Sequence, residues 1–481
     1  MTVGLRHLLA NPAVPDIALS EMTLDSREVG VGDLFIALPG LNHDGRDFMK
    51  SALINGAAAV LTETVPVDLR GDDRVIPVAQ LPTRLGELAD RFYHSPSKSL
   101  RLMAVTGTNG KTSIVELVSQ ILRSMGYCAG SIGTLGMRLV ERPDEARNTT
   151  PDCISLHRQL ARWRDQAVEW VAMEASSHAL DQGRLDGLTI DAAVFSNLSR
   201  DHLDYHSSME AYCAAKLRLF QDFAPKVRIF NADEPLLRPY RDIWGDKGIG
   251  ISCEGAPAEV EVSVLGVAPL TLKLSTPWGV GSINAPLAGR FNAFNLSVAV
   301  SLLAALGLSF DSVISAAQQV GPVAGRLQRI EFESDISVFI DYAHTPDALS
   351  RALCAVSEFG VTGRIWVVFG CGGDRDRGKR AEMGAAAARI ADRLVLTSDN
   401  ARSESPDAII EDILQGCRQV SPIVETDRAA AIALAVSQAE AGDVVLIAGK
   451  GHENYQDTGG VRQPFCDTDH ALQNLVLRQA A

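Results

Sequence analysis

Residues Arg101-Leu-Met-Ala-Val-Thr-Gly-Thr-Asn-Gly-Lys-Thr-Ser113 decide how this chain is read. A short apolar run ends in a glycine-rich loop. Ile114, Val115, Val118, Ile121, Leu122 and Met125 then recur at the spacing of one helix face. Strand, glycine loop and helix in that order are the setting of a phosphate-binding loop. The glycines let backbone N–H groups approach phosphate oxygens, and the helix N-terminus adds a positive dipole. Lys111 can neutralise β- and γ-phosphate charge, and the Thr112 hydroxyl can ligate Mg2+. Gly107, Thr108, Asn109, Gly110, Lys111, Thr112 and Ser113 are therefore the expected ATP contacts. Val105 stands where the general motif has its first glycine, and a plain glycine-rich turn is the alternative.

Working outward, the same pattern recurs. The apolar runs Trp170–Met173, Ala192–Phe195, Val338–Ile340, Ile365–Phe369, Leu394–Leu396 and Val444–Ile447 each end in a polar loop followed by a helical pattern. Apolar strands alternating with helices predict an α/β chain with mostly parallel sheets, covered on both faces. Ligands then bind at the carboxyl ends of the strands. His178, His202, His206, His344 and His452 lie in or just after those loops. Residues 1–97 read differently, with short strands near Asp33–Leu38 and Ala58–Thr62 and no glycine-loop motif. His94–Ser97 reads as a linker, and Gly321–Gly325 as a second break. The expected domains are 1–97, 98–323 and 324–481, in line with about 150 residues per domain.

The net charge of −14 argues against bulk attraction to nucleic acid or an anionic membrane surface. Eight scattered cysteines without a Cys-x-x-Cys pair, and no basic start followed by an apolar run, predict a cytoplasmic protein with reduced thiols. The uncharged stretch Phe291–Phe310 is long enough to span a bilayer, but its asparagines and serines favour a buried helix. A Mg2+–nucleotide site needs hard oxygen ligands nearby. Glu174, ending one strand, and His202, after another, are candidates; a helix N-terminal charge and a capped loop residue are the bland alternatives.

The stretches Thr106–Ser113, Glu174-Ala-Ser-Ser-His178, Asn197–Asp204, Asp341-Tyr-Ala-His-Thr-Pro-Asp347 and Gly449-Lys-Gly-His-Glu-Asn-Tyr-Gln456 resemble the ATP-dependent Mur ligases of peptidoglycan synthesis, most closely the MurE type. The resemblance runs from Leu24 to Gln456. It implies three domains: a UDP-binding domain, a central P-loop-type ATPase and a C-terminal Rossmann-like domain carrying the incoming amino acid. It implies a reaction in which ATP phosphorylates the carboxylate of UDP-MurNAc-L-Ala-D-Glu and an amino acid attacks the acyl phosphate. Matched by motif, Leu24, Ser26, Leu41, Asn42 and His43 are implied to hold the uridine diphosphate. Asn148, Thr149, Thr150, Ser176, Gln182 and Arg184 are implied to hold the sugar-peptide. For Ser26 and Asn148–Thr150, a cap or turn is the alternative. Asn292, Asn295, Arg326, Asp341 and His344 are implied around the nucleotide, with His202 and His344 among the catalytic residues. Lys216 matches a lysine that the family carbamylates, which would join Thr112, Glu174 and His202 as a metal ligand; a solvated helical lysine is the alternative.

The third-residue pocket separates the family's branches. Asp399-Asn-Ala-Arg402 stands where users of meso-diaminopimelate have Asp-Asn-Pro-Arg, and lysine users usually lack the arginine. A guanidinium can grip the second carboxylate of diaminopimelate with two parallel hydrogen bonds. Arg375, Asp399, Asn400, Ala401, Arg402, Gly449 and Glu453 are the implied amino-acid contacts, with Glu453 suited to the distal ammonium. For Arg402, a surface pair with Glu404 is the alternative. The implied cofactor is Mg2+, with ATP as substrate, in a monomer that inserts in no membrane. L-Lysine as the added residue, a MurF-type or folylpolyglutamate synthase-like ligase, and a nucleotide-dependent switch are the rivals.

Overall fold

The computed structural model describes residues 2–40, 43–139, 143–144, 148–359, 361–418 and 420–480. Leu41 and Asn42, two of the expected uridine contacts, lie outside the described residues. The chain forms two compact units. The first comprises Met1–Ala104, Cys128–Asp191 and Ala215–Lys226; the second comprises Val105–Tyr127, Ala192–Ala214 and Val227–Ala481.

In the first unit, Met22–Thr23, Leu34–Ala37, Ala59–Thr62 and Val75–Pro77 form a parallel four-stranded sheet in that order. The strand period of two divides its side chains between two cores. Leu34, Ile36, Ala59, Leu61 and Ile76 pack with Leu81, Leu88 and Phe92 of the helix Leu81–Phe92. Phe35, Ala37, Val60 and Val75 pack with Met49, Ala52 and Leu53. Trp170–Glu174 pairs in parallel with Ala129–Gly133. The helix Cys153–Asp165 starts on Asp152, whose carboxylate accepts from the Ile154 and Ser155 amides.

In the second unit, the phosphate-loop helix runs Lys111–Ser124. Ala192–Phe195, Val227–Asn231 and Gly248–Ser252 run parallel. They continue into an antiparallel meander of Val260–Val267, Leu270–Thr276 and Gly279–Ala285. The uncharged stretch Phe291–Phe310 is not one helix: Arg290–Ala305 ends at Leu306 and Phe310–Ala317 begins after Ser309, whose hydroxyl accepts from the Ser312 amide. Among the described residues no helix is long and apolar enough to cross a membrane.

The remainder of this unit is a six-stranded sheet in the order Gln328–Arg329, Ser337–Asp341, Val444–Ala448, Ile365–Phe369, Arg393–Leu396, Ile423–Val424, parallel except at its first edge. Again the strands alternate. Phe339, Val367, Phe369, Leu396 and Leu446 face the helices Pro346–Ser357, Gly378–Ala388 and Pro406–Leu414. Val338, Ile340, Val368, Val395 and Ile447 face Arg428–Gln438 and Asp467–Ala480. Both faces are covered, as a doubly wound sheet requires. Asp341 ends one of its strands, and Asp399 and Gly449 follow the carboxyl ends of two others.

Candidate active site

In the second unit, the phosphate loop is built by backbone conformations that glycine tolerates. Gly107 and Gly110 have φ of 138° and 88°. A Cβ on Gly107 would come within 2.0 Å of the Ser196 hydroxyl, and one on Gly110 within 2.7 Å of Asn295 Oδ1. The segment after Ala192–Phe195 staples the loop. Ser196 Oγ and Asn197 Nδ2 donate to the Asn109 carbonyl at 2.6 and 3.0 Å, and Asn197 Oδ1 accepts from the Asn109 amide at 2.9 Å. Thr108 Oγ1 donates to the Ser199 carbonyl at 3.1 Å. Lys111 Nζ donates to the carbonyls of Gly107 and Thr108 at 2.9 and 2.8 Å.

Groups distant in sequence converge on this loop. Arg326 donates to the Thr112 hydroxyl at 2.7 Å and stacks 4.5 Å from the centre of the Tyr342 ring. Asn109 Nδ2 donates to Asp347 at 3.0 Å. Asp341 is buried and accepts from the Leu327 and Ala343 amides at 2.6 and 2.7 Å. Burial pushes its carboxyl above the ordinary range, against the opposing charge of Arg326 and these two amides. A cavity of about 560 Å³ beside the loop is lined by Ser113, Asn292, Arg326, Leu287, Val323 and Phe359, among others. Its mixed apolar and amide lining suits a purine ring. Asn292 donates to the Ala288 carbonyl at 2.8 Å and accepts from Asn295 at 3.2 Å.

Asp201 is a second point of convergence, and it lies between residues that were singled out without it. Its buried carboxylate lies 3.4 Å from His202 Nε2, 3.8 Å from His344 Nε2 and 3.5 Å from Lys379 Nζ. Burial opposes ionisation, yet the hydrogen bond from His344 and the neighbouring positive charges hold Asp201 well below the usual carboxylate range. His344 is oriented by its Nδ1, which donates to the Tyr342 carbonyl at 2.8 Å.

At the ends of Arg393–Leu396 and Val444–Ala448 the implied amino-acid residues come together. Asn400 Nδ2 donates to Glu453 Oε2 at 2.8 Å, and Asp399 Oδ1 accepts from the Asn400 amide at 2.6 Å. Gly449, at φ 114°, leaves room for Asp399, since a Cβ there would lie 2.4 Å from its Oδ2. The Arg402 guanidinium donates to the Gly373 carbonyl at 2.5 Å. Glu404 pairs instead with Arg380 at 2.8 Å and Arg377 at 2.9 Å, so the expected alternative of an Arg402–Glu404 pair is not formed. Ala401 is buried, and Arg375 is exposed with its Nη1 on the Asp374 carbonyl at 3.0 Å.

The first unit gathers the residues matched to the sugar-peptide. Thr150 Oγ1 donates to the Glu174 carbonyl at 2.7 Å and accepts from the Ser176 amide at 3.2 Å. Arg184 donates to the Thr150 carbonyl at 2.8 Å and to Gln182 Oε1 at 2.7 Å. Thr149 Oγ1 accepts from Thr134 at 3.3 Å, and Asn148 is exposed. Ser176 Oγ caps the helix Ser177–Asp181, accepting from the Ala179 amide. Leu24 and Ser26 follow Met22–Thr23, and exposed His43 follows the adjacent strand Leu34–Ala37. Lys216 sits on the helix Met209–Gln221 at 1% exposure, which overturns the solvated alternative.

The donor chemistry also fits a divalent cation. Among the described residues, the buried Glu174 carboxylate is held only by Thr134, through its amide at 2.8 Å and its hydroxyl at 3.2 Å. A buried anion without a cationic partner is costly, and a hard cation relieves that cost. Among the described residues no group of three His, Cys, Asp or Glu could hold a metal, but Thr112 and a carbamate are outside that set of donors.

Family models match the chain in order: the Mur ligase family catalytic domain at residues 19–93, the Mur ligase middle domain at 105–303 and the Mur ligase glutamate ligase domain at 325–451. A UDP-N-acetylmuramoyl-L-alanyl-D-glutamate–2,6-diaminopimelate ligase of Coxiella burnetii is 43% identical over 473 residues, 96% of each chain. The chain belongs to the Mur ligase family. The Pseudomonas aeruginosa ligase of the same name is 43% identical over 482 residues, 99% of each chain. A solved structure of such a ligase superposes with a TM-score of 0.69 at 36% identity, covering 100% of both chains. The Thermotoga maritima MurF ligase in complex with ADP shares the fold alone, at 19% identity, TM-score 0.66, and 96% and 98% coverage.

Reading this Mur ligase from sequence missed Asp201, Lys379, Arg428 and Lys450. Asp201 and Lys450 lay inside motifs already quoted. Arg428 and Lys379 carried no signal beyond a charged residue near the start of a helical pattern.

Proposed function

We infer that this Mur ligase uses ATP to join meso-2,6-diaminopimelate to UDP-N-acetylmuramoyl-L-alanyl-D-glutamate, making a peptidoglycan precursor. The observation that carries the choice of amino acid is the pocket at the ends of Arg393–Leu396 and Val444–Ala448. There Asp399 and Glu453 offer acceptors for ammonium groups, Asn400 sits between them with its amide nitrogen on Glu453, and among the described residues Arg402 is bound by the Gly373 carbonyl rather than by an acidic side chain. A guanidinium satisfied only by a neutral acceptor is available to a carboxylate. The names of the full-length relatives support the same reading.

Chemically, a carboxylate oxygen of the substrate attacks the γ-phosphorus of ATP and the bond to ADP breaks. The amine nitrogen of diaminopimelate then attacks the acyl carbon, the bond to phosphate breaks, and the nitrogen loses a proton. Lys111 exchanges its two loop carbonyls for phosphate oxygens and neutralises charge that grows in the transition state. Asn292, Asn295 and Arg326 receive the adenosine side, with Asp341 holding the chain beside Arg326. His202 and His344 are the proposed catalytic imidazoles, oriented by Asp201 and the Tyr342 carbonyl. Mg2+, when bound, shields phosphate charge and polarises the transferred group. Within the second unit Thr112 and His202 would hold it; within the first, Glu174 and Lys216 as a carbamate are the residues with donors suited to a divalent cation.

In the first unit Leu24, Ser26 and His43 are the proposed uridine diphosphate contacts, and Asn148–Thr150, Ser176, Gln182 and Arg184 the sugar-peptide contacts. The three segments 1–97, 98–323 and 324–481 are proposed as domains of a monomeric cytoplasmic enzyme. The test is phosphate release by purified protein with ATP, Mg2+, the UDP-dipeptide and a panel of amino acids. The reading requires release with meso-diaminopimelate and little with L-lysine. Preference for lysine, or no amino-acid dependence, overturns it.

A further inference from the structure

Lys450 has no part in the chemistry above, yet its side chain is fully buried, at 0% exposure, among the groups proposed to hold the amino acid. Its ammonium donates to Asn400 Oδ1 at 3.0 Å, pairs with Glu453 Oε2 at 3.1 Å and lies 5.4 Å from the centre of the Tyr455 ring. Asn400 Oδ1 also accepts from the Asp457 amide at 2.9 Å, so both of its lone pairs are used. The Asn400 amide nitrogen must therefore point the other way, and it does, donating to Glu453 Oε2 at 2.8 Å. The other Glu453 oxygen accepts from the Tyr342 hydroxyl at 3.4 Å. One ammonium thus fixes which end of an amide and which oxygen of a carboxylate face outward.

A second buried cation fixes the roots of the same two loops. Arg428 is gripped by Asp467 through two bonds of 2.7 Å. It donates to the Ser398 carbonyl at 3.2 Å and the Ala448 carbonyl at 2.9 Å. These carbonyls immediately precede Asp399 and Gly449, at the ends of strands that Ile365–Phe369 separates. Burial disfavours the charged form of Asp399, but Lys450 and Arg428 hold its carboxyl below the ordinary value.

We propose that Lys450 is the positioning residue of the amino-acid subsite, setting the Asn400 amide and the Glu453 carboxylate for the incoming diamino acid without touching it. The inference rests on the reading that the Asp399–Arg402 and Gly449–Glu453 loops receive that amino acid. Without the ammonium, Asn400 loses a partner that distinguishes its oxygen from its nitrogen, Glu453 loses its paired cation, and Asp399 loses one of the two cations that favour its charge.

The experiment separates the subsite from the rest of the enzyme with hydroxylamine, a nucleophile that needs no amino-acid pocket. Its nitrogen attacks the acyl carbon, the bond to phosphate breaks, and a hydroxamate and phosphate form with loss of a proton. Lys450→Met should raise KM for meso-diaminopimelate about a hundredfold, the scale of a misplacement near 1 Å. KM for ATP and hydroxylamine-dependent phosphate release should stay as in the wild type. Lys450→Gln keeps a donor toward Asn400 and should fall between the two, and it carries the test if the methionine variant does not fold. An unchanged KM for diaminopimelate overturns the inference. Parallel loss of the hydroxylamine and diaminopimelate reactions also overturns it, since that marks a residue needed only for folding. A wild-type enzyme that releases phosphate with hydroxylamine but not with diaminopimelate overturns the functional reading instead, and the inference with it.

Discussion

At the end of Arg101–Thr106 the chain turns through Gly107 and Gly110, both at positive φ, and Lys111 reaches back to two loop carbonyls. At the end of Val444–Ala448 it turns through Gly449 and Gly451, again at positive φ, and Lys450 goes inward to Asn400 and Glu453. The ingredients are the same: a strand, two glycines in the left-handed region, one lysine. The partners differ. Lys111 is half-buried, and its bonds to the Gly107 and Thr108 carbonyls can be exchanged for a phosphate. Lys450 is wholly buried and paired with a carboxylate, and breaking such a pair costs about 3–5 kcal/mol. The first lysine is held ready for a ligand; the second is part of the wall. A glycine-lysine loop therefore takes its role from the charge and burial of what the lysine meets.

The largest expected effect comes from removing the ready lysine. Lys111→Ala should lower kcat by at least about a hundredfold, because a preorganised charge at the transferring phosphoryl group is lost. Thermal stability should move little by comparison, since Lys111 is only half-buried. Steady-state phosphate release and a melting curve measure both. Turnover within tenfold of wild type would sink the assignment of Lys111 and erase the contrast with Lys450.

The same contrast explains what could be read from sequence. The phosphate loop was legible because strand, glycines, lysine and helix fall within thirteen consecutive residues, Arg101–Ser113. Strand positions were legible to within a residue or two, as Val338–Ile340 against the observed Ser337–Asp341 shows. The six-stranded sheet is covered on both faces, so its strands are continuous apolar runs. The meander Val260–Ala285 was not foreseen. Its strands alternate buried and exposed residues, and Glu261, Ser263 and Lys273 interrupt any apolar run. Lys450 and Arg428 were missed for a different reason. Their meaning depends on Asn400 and on Asp467, 50 and 39 positions away, and nothing local distinguishes a buried cation from a surface one.

Within the fixed wall, Arg402 is the group expected to meet ligand directly. Arg402→Ala should raise KM for meso-diaminopimelate by about a hundredfold, the lower range of breaking a buried charged pair. It should also narrow the advantage of diaminopimelate over lysine, which has no second carboxylate. The ratio of kcat/KM for the two amino acids is the measurement. An unchanged ratio would place the carboxylate elsewhere and leave Arg402 as a brace for Gly373.

A smaller effect tests the outer support of the same wall. Glu404 ties the Arg402 loop to the amide of Asp374 at 2.6 Å and to the buried Arg380 at 2.8 Å. The hydrogen bond from Arg380 outweighs burial and holds the Glu404 carboxyl down at about 2, against an ordinary value of 4.5. A carboxyl lowered on folding stabilises fully above its unfolded value, and the contribution is lost as pH falls toward the folded one. Wild-type melting temperature should therefore drop between about pH 5 and pH 2 more steeply than that of Glu404→Gln, which lacks this titration. Parallel curves for the two proteins would show that Glu404 contributes no pH-dependent support.

The smallest effect concerns the one departure from the family pattern in this loop. Ala401 is 1% exposed, and its carbonyl accepts from the Glu404 amide at 3.0 Å. Gly373 packs so closely on that carbonyl that a Cβ there would come within 2.0 Å of it. The position thus contributes backbone and close packing, and its methyl group carries no polar contact. Proline restricts its own φ and keeps the residue before it, Asn400, in the extended region. Where the backbone already suits it, such a change stabilises by about 0.4–1 kcal/mol through the unfolded chain. Ala401→Pro should accordingly raise the melting temperature slightly and leave KM for diaminopimelate unchanged, because Lys450 already orients Asn400. A clear fall in KM would mean that loop stiffness, and not the buried ammonium, limits how well the wall is set.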